Sequence, residues 1–264
     1  MKTILVPLSY LEKGSNLLQY AFDFADNFSA KIIILKSFGI ATVTGPSPDI
    51  DKALKEKCLG ELKGILTTLN TKQCAFEIVL FKGKLVENCA EFMQENTVDL
   101  IITTPKRSSN EPHLFIGQVT GKMIKNLECP ILLVPNKFTF EPISSILMAI
   151  KSGVIKKEGI LTPLQKIQDT FKATVSLLQV KTPKLKETDF KINAELLKLK
   201  TFLIHSENAR VYHGVLEYLH EVNPNLLCVI RRKRGFFSKL WEQSTVKKSD
   251  FESKIPLLIL KGAV

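Results

Sequence analysis

Short apolar runs alternate with amphipathic stretches along this chain of 264 residues. In the first half, runs such as KTILVPL, AKIIILKSF and VDLIITTP are rich in β-branched residues and fit buried strands. Between them, stretches such as SNLLQYAFDFADNF and LVENCAEFMQEN place apolar residues at the spacing of a helix face. The alternation predicts five strands and four helices in residues 1–135, arranged as a mostly parallel sheet with helices on both faces.

The second half repeats the same order of elements, from ISSILMAI to IPLLILKG. In the first half, Leu100 opens a strand thirty residues before Pro130, which precedes the closing strand. In the second half, Leu226 opens the matching strand thirty residues before Pro256. Equal intervals at equivalent elements indicate an internal duplication.

We therefore predict two tandem domains of the Rossmann-like α/β class, over residues 1–138 and 139–264, each built on an open, mostly parallel, five-stranded sheet. The lysine-rich segment 182–198 is weakly patterned. A short helix and a mobile arm are the two alternatives for this segment.

Composition is that of a folded protein, with 45% hydrophobic and 24% charged residues. The apolar runs are too short to cross a bilayer and the N-terminus lacks the apolar segment of a signal peptide, so we expect a cytoplasmic protein with no membrane partner. The five cysteines are widely spaced and form no C-x-x-C pair. They predict neither a disulfide framework nor a metal site.

Positive charge is concentrated in the second half. Residues 1–135 contain 15 Lys/Arg and 14 Asp/Glu, and the remainder contains 22 and 12, so the net charges are +1 and +10. Such asymmetry favours an anionic partner, although lysines scattered over solvated surfaces are the plainer alternative. Segment 231–248, RRKRGFFSKLWEQSTVKK, combines basic and aromatic residues and could bind nucleic acid.

The opening MKTILVPLS, the helix ending in DFADNFSAKIIIL, and the closing patterns CPILLVP and IPLLILK resemble the universal stress protein family in its tandem form. The resemblance is weakest from about residue 136 to 200. In that family the closing strands pair across a dimer interface. The resemblance therefore implies that strands 131–134 and 257–260 pair within this chain, and that a homodimer of chains can form.

ATP-binding members of the family carry an aspartate after the first strand and a phosphate loop of the form G-x2-G-x9-G-[ST]. This chain departs from both features, since Ser9 and Lys151 occupy the two aspartate positions. The motif has four defined positions, three glycines and a final Ser or Thr. In the first half these positions hold Thr104, Arg107, Gly117 and Gln118, and in the second half Ile230, Lys233, Gln243 and Ser244. A cation in place of a glycine obstructs the approach of phosphates to main-chain N–H groups, even while it adds positive charge.

Catalysis is not indicated, because no G-x-S-x-G elbow occurs and IGQVTGKM lacks the spacing of a Walker A loop. We expect a non-catalytic regulatory or partner-binding protein with eroded ATP loops, no cofactor, and an unidentified protein or small phosphorylated molecule as its partner. The alternative is a nucleotide sensor with a modified site in the first domain. Nucleic-acid binding through 231–248 is a second, less favoured alternative.

The candidate phosphate-binding residues of the first domain are Ser9, Thr104, Arg107, Gly117, Gln118, Val119 and Thr120. Those of the degenerate second site are Lys151, Arg231, Lys233, Ser244 and Thr245.

Overall fold

The computed structural model describes residues 1–8, 14–39, 48–105, 117–155, 158–183, 191–209, 211–231 and 254–262. Within these residues the elements follow the order β1 (Thr3–Leu8), α1 (Gly14–Asp26), β2 (Lys31–Phe38), α2 (Pro48–Leu66), β3 (Phe76–Lys82), α3 (Leu85–Glu95), β4 (Leu100–Thr103), α4 (Gln118–Asn126), β5 (Ile131–Leu133), β6 (Ser145–Ile150), α5 (Thr162–Phe171), β7 (Thr174–Lys181), α6 (Ala194–Leu199), β8 (Phe202–Glu207), α7 (Val211–Val222), β9 (Leu226–Arg231) and β10 (Leu257–Lys261).

The alternation of strands and helices predicted from the apolar pattern is confirmed in the described residues. Of segment 182–198, residues 184–190 lie outside the described residues. A short helix, α6, begins at Ala194, and Asn193 caps it by accepting a hydrogen bond from the Glu195 N–H at 2.7 Å. The helix predicted within 245–253 lies outside the described residues.

The chain divides into two compact units. Among the described residues, the first unit contains the chain up to β4 together with Gly117–Cys129 and Asn136–Phe140, and the second contains Pro130–Pro135 and the chain from Glu141 onward. The predicted boundary between residues 138 and 139 stays a prediction.

The first unit contains the parallel strands β3, β2, β1 and β4, adjacent in that order. β1 lies in the middle and is buried at every position from Ile4 to Leu8, as expected for a strand covered on both faces. Helix α1 packs over the sheet and buries Leu18, Ala21 and Phe22 completely. Segment Asn136–Phe140 packs on the outer side of this helix. There the rings of Phe140 and Tyr20 lie edge-on, with 5.4 Å between their centroids.

The second unit contains strands in the order β5, β10, β9, β6, β7 and β8. All are parallel except β5, which pairs antiparallel with β10, with Leu132 opposite Leu258. The α/β class with mostly parallel strands is therefore confirmed. Among the described residues, the first unit contains four of the ten strands and the second contains six, including β5. The reason is that the apolar β5 satisfies its backbone groups against the equally apolar β10, which is the strand pairing that the closing patterns predicted.

One polar side chain binds the start of β1 in the first unit and of β6 in the second. Asp99, just before β4, accepts hydrogen bonds through Oδ2 from the N–H groups of Lys2 and Thr3 at 2.6 and 3.1 Å. Asn225, just before β9, accepts through Oδ1 from the N–H groups of Ser144 and Ser145, both at 3.0 Å. The two residues occupy equivalent positions in the repeated order of elements. They set the register between the two strands whose carboxyl ends flank the candidate site.

Helix α7 approaches the sheet closely at Gly214. A Cβ there would lie 3.0 Å from both the Cγ1 of Val180 and the Oγ of Ser206. Because Val180 and Ser206 are themselves buried, they have little room to move.

We expect Gly214→Ala to lower the free energy of unfolding by about 1–3 kcal/mol, because the new methyl overpacks the contact between α7 and the sheet. The matched control is Gly60→Ala in α2, where a Cβ meets nothing within 4 Å and the substitution should stabilise by about 0.5–1 kcal/mol. Urea unfolding of the two variants measures both effects. Equal stabilisation by the two alanines would contradict the close contact.

Candidate functional site

Ligands of open parallel sheets bind beyond the carboxyl ends of the strands, at the point where the strand order reverses. In the first unit the chain runs from β1 to β2 and β3 on one side and then returns to β4 on the other side of β1. In the second unit the same reversal occurs between β6 and β9. These two places are the candidate sites, and the residues predicted from the sequence follow these strand ends.

In the first unit, Thr104 and Thr120 lie together. Thr104 directly follows β4, and the hydroxyl of Thr120 in α4 donates a hydrogen bond to the Thr104 carbonyl at 3.0 Å. Thr120 is buried, with 3% of its surface exposed, and Thr104 is half-buried. The hydroxyl therefore joins the helix to the end of the strand. Ser9 and Arg107 lie outside the described residues.

Helix α4 begins with its N-terminus at this same strand end. Gly117 is its N-cap residue, with φ of −60° and ψ of 158°, and as a glycine it has no side chain with which to cap the helix. Gly117 is buried, Gln118 is exposed and Val119 is half-buried. The N–H groups in the first turn of a helix lack intrahelical partners, and they favour anions. Together with Thr104, this helix turn is the part of the predicted phosphate loop that the structure describes.

In the second unit, Lys151 follows β6 and is exposed, while Arg231 ends β9 and is half-buried. Both stand at carboxyl ends of strands, as predicted. Lys233, Ser244 and Thr245 lie outside the described residues.

The structure adds a contact that the sequence did not predict at the second site. The carbonyl of Gly153, two residues beyond Lys151, accepts a hydrogen bond from the Asn193 N–H at 3.0 Å. A Cβ on Gly153 would lie 2.6 Å from the Cα of Ile192, so the two backbone segments touch. The buried Ser152 accepts a bond from the Val154 N–H at 3.3 Å. In the sequence, Gly153 was the only sign that two backbone segments meet here. Its partners, Ile192 and Asn193, belong to the weakly patterned segment 182–198.

The thiols offer little nucleophilic reactivity. Burial raises the pKa of Cys89 to about 12 and raises that of Cys228 strongly, which keeps both protonated at neutral pH. The pKa of the half-buried Cys74 is raised by burial first and then by Asp26 and Asp23. Among the described residues, no group of three His, Cys, Asp or Glu side chains is placed to hold a metal ion.

In the part of the chain that the structure describes, no helix has both the length and the apolar character needed to span a membrane.

Comparison with known proteins identifies relatives of both the sequence and the fold. The model of the universal stress protein family matches residues 1–135. A universal stress protein of Methanocaldococcus jannaschii is 21% identical over 138 residues, which are 50% of this chain and 81% of that protein.

Two solved structures are similar over nearly the whole chain and share its fold. A universal stress protein from Archaeoglobus fulgidus DSM 4304 aligns with a TM-score of 0.72 and 14% identity, over 99% of this chain and 96% of that one. A functionally unknown protein from Pseudomonas aeruginosa PAO1 aligns with a TM-score of 0.60 and 15% identity, over 99% and 93%.

We expect Thr120→Val to lower the free energy of unfolding by about 1–2 kcal/mol, because it removes the donor to the Thr104 carbonyl while preserving shape. Thr67→Val is the matched control, since the exposed Thr67 hydroxyl also donates to a backbone carbonyl, that of Gly64, at 2.8 Å. Solvent can replace the exposed bond, so the control should change stability by less than about 0.5 kcal/mol. Thermal unfolding of both variants is the measurement; an equal effect would contradict a structural role for Thr120.

Thiol labelling should follow burial. At pH 8 iodoacetamide should modify Cys74 first, whereas Cys89 and Cys228 should react only when the protein unfolds, because their thiols are buried and protonated. Peptide mass spectrometry over time measures the order. Rapid labelling of Cys89 in the folded protein would contradict it.

Proposed function

The chain belongs to the universal stress protein family, and from that premise we propose that it is a non-catalytic regulatory or partner-binding protein whose inherited ATP sites are eroded. One observation carries the proposal: beside the strand ends of each site, one polar group that a ligand could use is bonded within the chain itself. In the first unit the Thr120 hydroxyl is bonded to the Thr104 carbonyl. In the second unit the Gly153 carbonyl is bonded to the Asn193 N–H.

The chemistry of the second site supports the proposal. A carboxylate at the aspartate position can accept hydrogen bonds from the hydroxyl and amino groups of a nucleoside, whereas the Lys151 ammonium can only donate. Beside it, the backbone of Ile192 lies close enough to Gly153 to exclude even a methyl group. A nucleoside placed against this loop would have to displace that segment.

A modified nucleotide site in the first unit is the second candidate. The observation that favours it is the N-terminus of α4 at Gly117, a nine-residue helix whose first turn lies at the end of β4. Ser9, Thr104, Arg107 and Gln118 would complete such a site. The cytoplasmic location, the homodimer and the absence of a resident cofactor stay predictions.

Titration of the full chain with Mg·ATP tests the proposal. We expect no saturation below about 1 mM in about 0.15 M salt by calorimetry, because the backbone approach to the phosphates is obstructed. Micromolar binding that is lost in Arg107→Ala would overturn the proposal and establish the nucleotide sensor.

A restored variant is the matched control for that titration. Four substitutions return the family residues to the first unit: Ser9→Asp, Thr104→Gly, Arg107→Gly and Gln118→Ser. The Thr104 carbonyl is retained, so its bond with Thr120 can persist. Affinity for Mg·ATP should rise at least about tenfold over the unmodified chain. A restored variant that remains folded but binds no better would contradict erosion as the cause.

A further inference from the structure

Strand β8 ends the strand order of the second unit on the side away from β5. Among the described residues, β8 pairs in parallel with β7 on one side and with no strand on the other. In this part of the chain, the backbone N–H and C=O groups on its outer side are therefore a template for another strand. The closing strand β10, in contrast, pairs on both sides, with β5 and with β9, and offers no edge to a second chain.

The start of β8 exposes large apolar side chains. Phe202 is 58% exposed and Leu203 is 37% exposed. Leu197, in the helix α6 that leads into β8, is exposed as well. From Phe202 to Ser206 the strand contains no lysine, arginine, aspartate or glutamate. Neighbouring exposed apolar side chains on an edge strand indicate a surface that another protein covers.

Strand β3 holds the corresponding edge of the first unit and is protected by charge. Glu77, its second residue, forms an ion pair with Lys31 of β2 at 2.7 Å, and Lys82, its last residue, forms one with Asp51 of α2 at 2.6 Å. Charged side chains on an edge strand hinder its pairing with another chain. The second residue of β8 is Leu203, and no salt bridge within the described residues involves β8. This edge therefore lacks the protection that β3 has.

The two ends of β8 carry opposite charges. Lys198 and Lys200 lie just before the strand, whereas Glu207 ends it. Glu217 of α7 lies beside the acidic end, because its two carboxylate oxygens accept hydrogen bonds from the Asn208 Nδ2 at 3.1 and 3.3 Å. A second β8 in the antiparallel direction would place its acidic end next to the basic end of the first, twice by symmetry. Parallel pairing would bring like charges together instead.

We propose that β8 pairs antiparallel with β8 of a second copy of this chain, so that the two strands join their sheets into one. A two-fold axis perpendicular to the sheet, at the centre of the uncharged run, places Ile204 opposite Ile204 of the second copy. Phe202 then lies opposite Ser206 of the second copy, and Leu203 opposite His205. The contact uses the outer edge of both copies, so the dimer is closed. The inference goes beyond the proposed function and does not depend on the ATP loops.

Sedimentation velocity of the full chain, from about 1 to about 500 μM in about 0.15 M salt, tests the pairing. The contact is short, so we expect an equilibrium of monomer and dimer with a Kd of about 1–100 μM. Leu203→Lys should raise that Kd at least about tenfold, because it places one charge from each copy near the symmetry axis. Ile50→Lys is the matched control. It adds the same charge at an exposed aliphatic residue of α2 in the first unit and should change the Kd by less than about twofold.

Charge exchange tests the antiparallel direction. Lys200→Glu and Glu207→Lys should each raise the Kd about threefold or more, because each places like charges at both ends of the strand pair. The double variant restores opposite charges and should dimerise about as tightly as the unmodified chain. Glu207 is exposed and Lys200 half-buried, so these variants carry the test if thermal unfolding shows that Leu203→Lys destabilises the fold.

Each remaining outcome decides against the pairing. A chain that stays monomeric at about 500 μM overturns the inference. A dimer that Leu203→Lys and Ile50→Lys weaken equally, or that neither weakens, overturns β8 as the interface. Single charge exchanges without effect, or a double variant that stays weak, overturn the antiparallel direction. None of these results bears on the Mg·ATP titration, so the proposed function stands or fails separately.

Discussion

In each unit, a polar side chain immediately before one strand holds the first residues of another. Asp99 binds the backbone ahead of and at the start of β1, and Asn225 does the same for β6. Parallel strands have no tight turn to fix their relative position, so a contact at their amino ends determines where their carboxyl ends meet. Both candidate sites, including the helix N-terminus at Gly117, depend on this register.

Asp99 and Asn225 differ in charge but make the same kind of contact. Asp99 carries a carboxylate and Asn225 an amide, yet each uses one side-chain oxygen to accept two backbone N–H groups. A buried or half-buried strand start requires such an acceptor, because its first N–H groups have no partner in the sheet. The strand start needs only an acceptor oxygen in the right place, and a carboxylate or an amide oxygen can supply it. The two units therefore share this contact at a place where backbone groups must be satisfied.

Side chains at the opposite ends of the same strands have diverged. Around β4 the remaining threonine hydroxyl stabilises the junction with α4, while the matching edge of the second unit carries Lys151, Arg231 and Lys261. Residues at this edge face solvent, so the sheet places few demands on their type. One scaffold can consequently hold two chemically different edges. That difference accounts for part of the charge asymmetry between the two halves of the chain.

Much of the fold could be predicted from the apolar pattern, because strands buried on both faces, such as β1 and β9, leave a nearly continuous apolar run. The helix at 194–199 was harder, since only Leu196 and Leu199 are buried along its six residues. The unit to which β5 belongs was also hard to predict, because a sequence identifies strands but does not by itself assign them to a unit. Ile131–Leu133 is recognisable as a strand, and only its pairing with β10 shows that it belongs to the second unit.

By itself the sequence determined the α/β class, the repeated order of strands and helices, and the concentration of positive charge in the second half. Each of these follows from local composition, spacing or alignment along the chain. The tertiary structure alone decided that the Thr120 hydroxyl meets the Thr104 carbonyl, that Ile192 lies against Gly153, and that β5 pairs with β10. These contacts join residues far apart in the chain, and they exist only because strand pairing brings the strand ends to a common edge.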